Sequence, residues 1–242
     1  MGTVPAGLEP GELHVWAVPL EAAPERLAAL AARLSPEELA RAARFKFEVH
    51  RNRYIAGRGA LREILGIHLA TPPAALGFTY TTQGKPALAG DPALHFNLAH
   101  SDGLALAAVT RAGPVGVDVE RIRPVKDAAD LVARFFSPRE NEMFQQLPPA
   151  ERPAAFFNLW TRKEALLKAT GEGIAGGLNR VEVSFLPGEP ARLLALAGDG
   201  AAVAEWSLAA LSPAPGFVGA VAVRSREVSL RCFRISDIPA TS

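Results

Sequence analysis

Residues 116–120 read Gly116-Val117-Asp118-Val119-Glu120, and a later stretch reads Trp160-Thr161-Arg162-Lys163-Glu164-Ala165-Leu166-Leu167-Lys168. The first alternates apolar and acidic residues at the repeat of a strand, so Asp118 and Glu120 leave one face and Val117 and Val119 the other. The second has helical spacing, which puts Trp160, Glu164 and Lys168 on one stripe. Three carboxylates converging from a strand and a helix repel one another and raise each other's pKa unless a cation neutralises them. Mg2+, a hard ion that takes oxygen ligands, is the natural cation. Alternating acids also describe the wet face of an antiparallel sheet, and Lys with Glu describes an ordinary helix surface. The two stretches alone leave both readings open.

Outward from this pair, the composition sets bounds. A chain of 242 residues has room for one large domain or two smaller ones. Hydrophobic content of 49% and charged content of 21% are those of a globular protein and exclude a disordered one. A net charge of +1 argues against a surface that coats polyanions, so any anion site is local and nucleic acid is not an expected partner. The single cysteine, Cys232, excludes an internal disulfide framework and fits a reducing compartment. No secretory leader and no uncharged membrane-length run is found, so a cytoplasmic protein without membrane attachment is expected.

Along the chain, residues 1–11 are a loose lead-in, and Glu12 to Val18 alternates as a strand ended by Pro19. Pro24 to Leu34 has helix spacing. Ser35-Pro36-Glu37-Glu38 is a helix start, with a serine cap, proline in the first turn and acids at the positive end of the dipole. The most basic segment follows, Leu39 to Leu65, expected to be helical, with Arg51, Arg58 and Arg62 interleaved with Tyr54, Leu61 and Leu65. That cationic flank suits phosphates, though a solvated amphipathic helix has the same pattern. Gly57 and Gly59 inside it suggest close approach of a neighbour or ligand.

Short strands are expected at Phe78 to Thr82, Leu94 to Leu98 and Leu104 to Thr110, the last two flanking a loop at His100-Ser101-Asp102-Gly103. Arg111-Ala112-Gly113-Pro114 is the best internal boundary. Beyond it come a helix at Ala128 to Phe136, a second cap at Ser137-Pro138-Arg139-Glu140 and a helix from Glu151 to Thr170. Strands at Arg180 to Phe185, Ala191 to Leu196, Ala204 to Leu211 and Phe217 to Val223 complete the pattern, with a frayed end from Ile235. Each half thus runs strand, helices, then several strands. This predicts an α+β protein of two similar subdomains, residues 12–112 and 113–236, each with helices packed on a small, mainly antiparallel sheet, and a tail at 237–242.

Gly171-Glu172-Gly173-Ile174-Ala175-Gly176 fits the dinucleotide pattern literally, but a helix precedes it and strands follow, so a helix C-cap or a loop ordered by a partner is the better reading. No phosphate loop and no paired His/Cys metal spacing is present. His14, His50, His68 and His95 read as structural. His100, within Phe96-Asn97-Leu98-Ala99-His100-Ser101, is placed to bond a phosphate.

Four separated segments then agree with one family. The chain resembles the two-subdomain, Sfp-like 4′-phosphopantetheinyl transferases in Gly116-Val117-Asp118-Val119-Glu120, Trp160-Thr161-Arg162-Lys163-Glu164-Ala165, Phe96-Asn97-Leu98-Ala99-His100-Ser101 and the Arg53, Gly57-Arg58, Leu61-Arg62 helix. Phe135-Phe136-Ser137 with Glu140, and Gln83-Gly84-Lys85-Pro86, fit the same pattern, which spans about Ser35 to Gly173 in the family's order. The resemblance implies an active site in the cleft between subdomains. There the phosphopantetheine arm of coenzyme A passes to a serine of an acyl or peptidyl carrier protein, and adenosine 3′,5′-bisphosphate is released. It further implies that Asp118, Glu120 and Glu164 ligate Mg2+, and that Lys168 pairs with a phosphate. Glu164 or a metal-bound water would serve as base. Arg53, Lys85 and His100, with Arg41 as helper, would hold the 3′-phosphate and adenosine end.

Two departures from the family pattern stand out. Ala99 replaces a frequent serine, and Glu38 takes a position that is basic in the best-known member type, which throws weight onto Arg41 and Arg53. The resemblance places carrier docking over Gly171 to Leu178, with Ile174 and Leu178 as apolar contacts and Arg139, Arg162 or Arg180 steering acidic helices. It implies a monomer serving fatty-acid, polyketide or nonribosomal-peptide carriers. The alternatives are a coenzyme A or nucleotide-binding module without chemistry, and a Mg2+-dependent pyrophosphohydrolase.

Overall fold

A computed structural model of the chain describes residues 7–171, 177–196 and 202–238. The first half contributes β1 (Glu12–Pro19), helices α1 (Pro24–Ala31), α2 (Pro36–Ala43) and α3 (Glu48–Leu69), the short hairpin β2 (Phe78–Tyr80) and β3 (Pro86–Leu88), then β4 (His95–Ser101) and β5 (Leu104–Thr110). The second half repeats that order: β6 (Val115–Arg121), helices α4 (Ala128–Phe135), α5 (Pro138–Gln145) and α6 (Arg152–Thr170), the hairpin β7 (Val181–Val183) and β8 (Leu193–Leu196), then β9 (Ser207–Leu211) and β10 (Phe217–Val223). The sheets match as well. Strands run β1-β5-β4 in one and β6-β10-β9 in the other, antiparallel throughout.

One strand breaks the symmetry. β11 (Ser229–Arg234) returns from the second half and pairs in parallel with β1, from Glu12 against Ser229 to Ala17 against Arg234. The sequence carries little signal for it, because its alternation of small, apolar and arginine residues is that of an edge, paired on one side only. Instead of a frayed end, Ile235–Asp237 forms a 3-10 turn that packs against β1 and the first-half core.

The basic segment is also not one helix. α2 stops at Ala43, and Phe47 takes an extended conformation before α3 begins. No glycine or proline marks the break. Phe45 turns back onto the Tyr54 ring, 5.5 Å between centroids, so a tertiary contact overrides local propensity. Gly59 serves close approach as expected, because a Cβ there would stand 2.7 Å from Leu30 Cβ where α1 crosses α3.

In each half the second helix starts with the same device. Ser35 and Glu38 form a reciprocal cap at α2, and Ser137 and Glu140 repeat it at α5. Both glutamates are buried and meet cations from the following long helix: Glu38 takes Arg58 and Arg62, and Glu140 takes Lys163. Between the halves lies a third apolar core. Leu104, Leu106 and Ala108 of β5 meet Val115, Val117 and Val119 of β6 and Val221 and Val223 of β10, all buried. Because β5 alternates, its other face, Ala105, Ala107 and Val109, serves the first-half core. Among the described residues, no helix is long and apolar enough to cross a membrane.

Candidate active site

The site starts from Gly116. A Cβ added there would lie 2.1 Å from Ala165 O and 2.4 Å from Ala169 N, so α6 crosses β6 with the two backbones in contact. This crossing lays Glu164 and Lys168 over the strand that carries Asp118 and Glu120. Lys168 Nζ stands 2.6 Å from Asp118 Oδ1. Asp118 and Glu164 are both buried, and one oxygen of each, Asp118 Oδ2 and Glu164 Oε1, lies buried without a hydrogen-bond partner. Glu120 is half-buried and accepts from Ser101 Oγ at 2.6 Å. Burial pushes the Asp118 pKa up to about 7 against the pull of Lys168, with Glu164 and Glu120 adding to the rise. Burial also raises Glu164, again opposed by Lys168 and reinforced by Glu120.

The residues present fit a divalent cation. An all-oxygen set with two buried carboxylate oxygens lacking any donor is costly by itself and suits a hard ion. As placed, no three His, Cys, Asp or Glu side chains among the described residues enclose an ion. Lys168 occupies one oxygen of Asp118, and Ser101 one of Glu120.

Beside the carboxylates opens a cavity of about 510 Å³ lined by Arg41, Arg53, Tyr54, Gly84, Asn97 and His100, among others. Arg53 bonds Glu21 Oε1 at 3.0 Å through Nη2, while its Nε is buried and unpartnered. The Arg41 guanidinium lies 5.6 Å from the centroid of the Tyr54 ring. His100 is exposed in the cavity wall. Partial desolvation lowers its pKa, the Lys168 and Arg53 charges lower it further, and Glu120 opposes, which places the ring at the junction of cavity and carboxylates. A neighbouring cavity of about 800 Å³ shares Arg41, Phe45, Tyr54 and Tyr80 but is lined by neither His100 nor Arg53.

Several residues sit differently from expectation. His100 sits in β4, paired with Ala105, not in a loop; the turn is at Asp102, whose φ is 48°. Lys85 leaves the cavity to its neighbours Gly84 and Pro86. Its ammonium donates to Val115 O at 3.0 Å and Lys168 O at 2.6 Å, capping the C-terminal end of α6, and burial lowers its pKa to about 8. Arg58 and Arg62 are buried on Glu38, and Arg62 also bonds Pro73 O and Leu76 O, so neither belongs to a free cationic flank. Arg162 is 3% exposed and bonds Ser184 O and Glu189 O, and Leu178 is buried in the second-half core, so neither can meet a partner surface. Arg139 and Arg180 are exposed. Ile174 lies outside the described residues. Ala99 is buried in the apolar core between the halves. Two residues with no assigned role, Asn97 and Ser101, turn out to touch the second half; their only signal was the strand alternation that points them the same way as Ala99.

Strand, crossing helix and cationic cavity together describe an enzyme-like cleft built from two related halves. The pattern of the "4'-phosphopantetheinyl transferase superfamily" matches residues 114–222, and that of "4'-phosphopantetheinyl transferase, N-terminal" matches residues 20–111. The chain is 46% identical over 215 residues to 4'-phosphopantetheinyl transferase HetI of Nostoc sp., covering 88% of this chain and 87% of that one. It is 38% identical to 4'-phosphopantetheinyl transferase psf-1 of Bacillus pumilus over 60% of this chain and 61% of that one. With 4'-phosphopantetheinyl transferase Sfp of Bacillus subtilis it shares 27% identity over 62% of this chain and 66% of that one. The chain belongs to the 4'-phosphopantetheinyl transferase superfamily.

Proposed function

We propose that this chain transfers the 4′-phosphopantetheine group of coenzyme A to a serine hydroxyl of an acyl or peptidyl carrier protein in a Mg2+-dependent reaction, releasing adenosine 3′,5′-bisphosphate. The observation that carries the reading is the pair of buried, donorless carboxylate oxygens on Asp118 and Glu164 beside a lysine and a cationic cavity. Arg53, with its unpartnered Nε, Arg41 and His100 hold the 3′-phosphate end of coenzyme A in the cavity. Asp118, Glu120 and Glu164 would hold Mg2+, and the ion would supply positive charge where charge grows on the leaving group. Lys168 leaves Asp118 for a phosphate oxygen and stabilises the same charge. Glu164 takes the proton of the carrier serine as its oxygen bonds the β-phosphorus and the bond from that phosphorus to the bisphosphate breaks. Lys85 supports this arrangement by capping α6, and the family's expected role for it at the adenosine end requires it to leave those carbonyls.

Carrier docking falls to the exposed Arg139 and Arg180. The free thiol of Cys232 supports a reducing, cytoplasmic setting, and the two halves in one chain support a monomer. Which of the fatty-acid, polyketide or nonribosomal-peptide carriers is served follows from the test. Apo carriers of each kind are incubated with the protein, coenzyme A and Mg2+, and intact mass is read beside Glu164→Gln. A gain of one phosphopantetheine, lost with chelator and in the variant, is expected. Coenzyme A bound without transfer, or cleaved without a carrier, overturns the proposal.

A further inference from the structure

Glu120 is the least buried of the three carboxylates, and what holds it comes from the other half of the molecule. Ser101 Oγ donates to Glu120 Oε2 at 2.6 Å and accepts from the Arg121 amide at 3.3 Å, and Ser101 is only 9% exposed. β4 is the last strand of its sheet and β6 the first of the next, and no backbone ladder joins them among the described residues. Their register therefore rests on side chains. Asn97 Oδ1 accepts from the Val117 amide at 2.9 Å, and further along the same face of β4 Ser101 meets Glu120.

A competitor stands on the solvent side. The half-exposed Arg123 guanidinium lies 3.5 Å from the same Glu120 Oε2. Without the hydroxyl, Glu120 is free to follow that guanidinium outward. With it, Oε2 is tied inward and Oε1 is left for another partner.

We infer that Ser101 is a positioning residue for the metal site: by fixing Glu120 across the seam, the first half sets the geometry in which the second half binds its cation. The inference rests on the reading of Glu120 as a Mg2+ ligand. Binding of Mn2+ as a probe, followed by its paramagnetic resonance signal in the absence of coenzyme A, separates the two. Wild type, Ser101→Ala, Ser101→Thr and Glu120→Gln are compared, with thermal unfolding as the check that each is folded. Ser101→Ala is expected to weaken Mn2+ about tenfold or more, Ser101→Thr to keep wild-type affinity, and Arg123→Gln to recover part of the loss in the Ser101→Ala background. Metal-free coenzyme A binding should not change. Wild-type Mn2+ affinity in Ser101→Ala, with Glu120→Gln impaired, overturns the inference and spares the ligand reading. Wild-type affinity in Glu120→Gln overturns both.

Discussion

Lys168 Nζ and Asp118 Oδ1 lie 2.6 Å apart, the ammonium from a helix and the carboxylate from the strand beneath it. Lys168 is thus a cation stored on a site carboxylate. Lys168→Met should lower kcat about 10²- to 10³-fold, the usual cost of losing one preorganised transition-state contact, with little change in the KM for coenzyme A. An equal loss in KM alone would place Lys168 in ground-state binding.

Gly116 has no room for a methyl group, because the α6 backbone fills the space at 2.1 Å. Gly116→Ala should push α6 off β6 and carry Glu164 and Lys168 with it. A shift of about 1 Å at reacting groups costs roughly 10²-fold. Transfer activity should fall by at least that, with a lowered melting temperature.

Glu38 answers two buried guanidiniums. Burial alone would raise its pKa, but the Ser35 amide and the Arg58 and Arg62 charges outweigh burial and hold it below the usual range. Its contribution is present above the unfolded value and is lost as pH falls through the folded one. Glu38→Ala leaves both buried arginines without their counter-charge, which costs about 3–5 kcal/mol. For a chain of this size Tm should drop by roughly 6–20 °C in calorimetry. Glu140→Ala should behave alike, since it strands Lys163.

Arg53 should discriminate the 3′-phosphate. Arg53→Ala is expected to raise the KM for coenzyme A by about tenfold or more, as loss of a charge-assisted bond would, and to leave that for 3′-dephospho-coenzyme A unchanged. Equal losses on both substrates would remove it from the phosphate.

His68 makes the fold sensitive to acid. Its ring nitrogens are buried without partners, 5.0 Å from the His14 ring between centroids, and burial with the His14 charge lowers its pKa to about 4, with Arg111 adding and Glu12 opposing. The unfolded chain therefore binds this proton first. Stability is full above about pH 6.5 and falls as pH drops towards 4, by up to roughly 3 kcal/mol. Urea midpoints should decline between pH 7 and 5, and His68→Met should flatten that decline.

Much of this was legible along the chain. Alternation marked β6 and separated Asp118 and Glu120 from Val117 and Val119, helical spacing joined Glu164 to Lys168, and the serine-proline-glutamate caps announced α2 and α5. These signals are local, since backbone geometry repeats over two or four residues and side-chain chemistry follows it. Only the tertiary structure decided that Arg58, Arg62 and Arg162 are buried, that Lys85 caps α6, that β11 joins β1, and that Ser101 reaches Glu120. A cation reads the same in sequence whether it meets water, a carbonyl or a carboxylate. Which partner it finds depends on segments far away along the chain, brought together by the packing of the two halves.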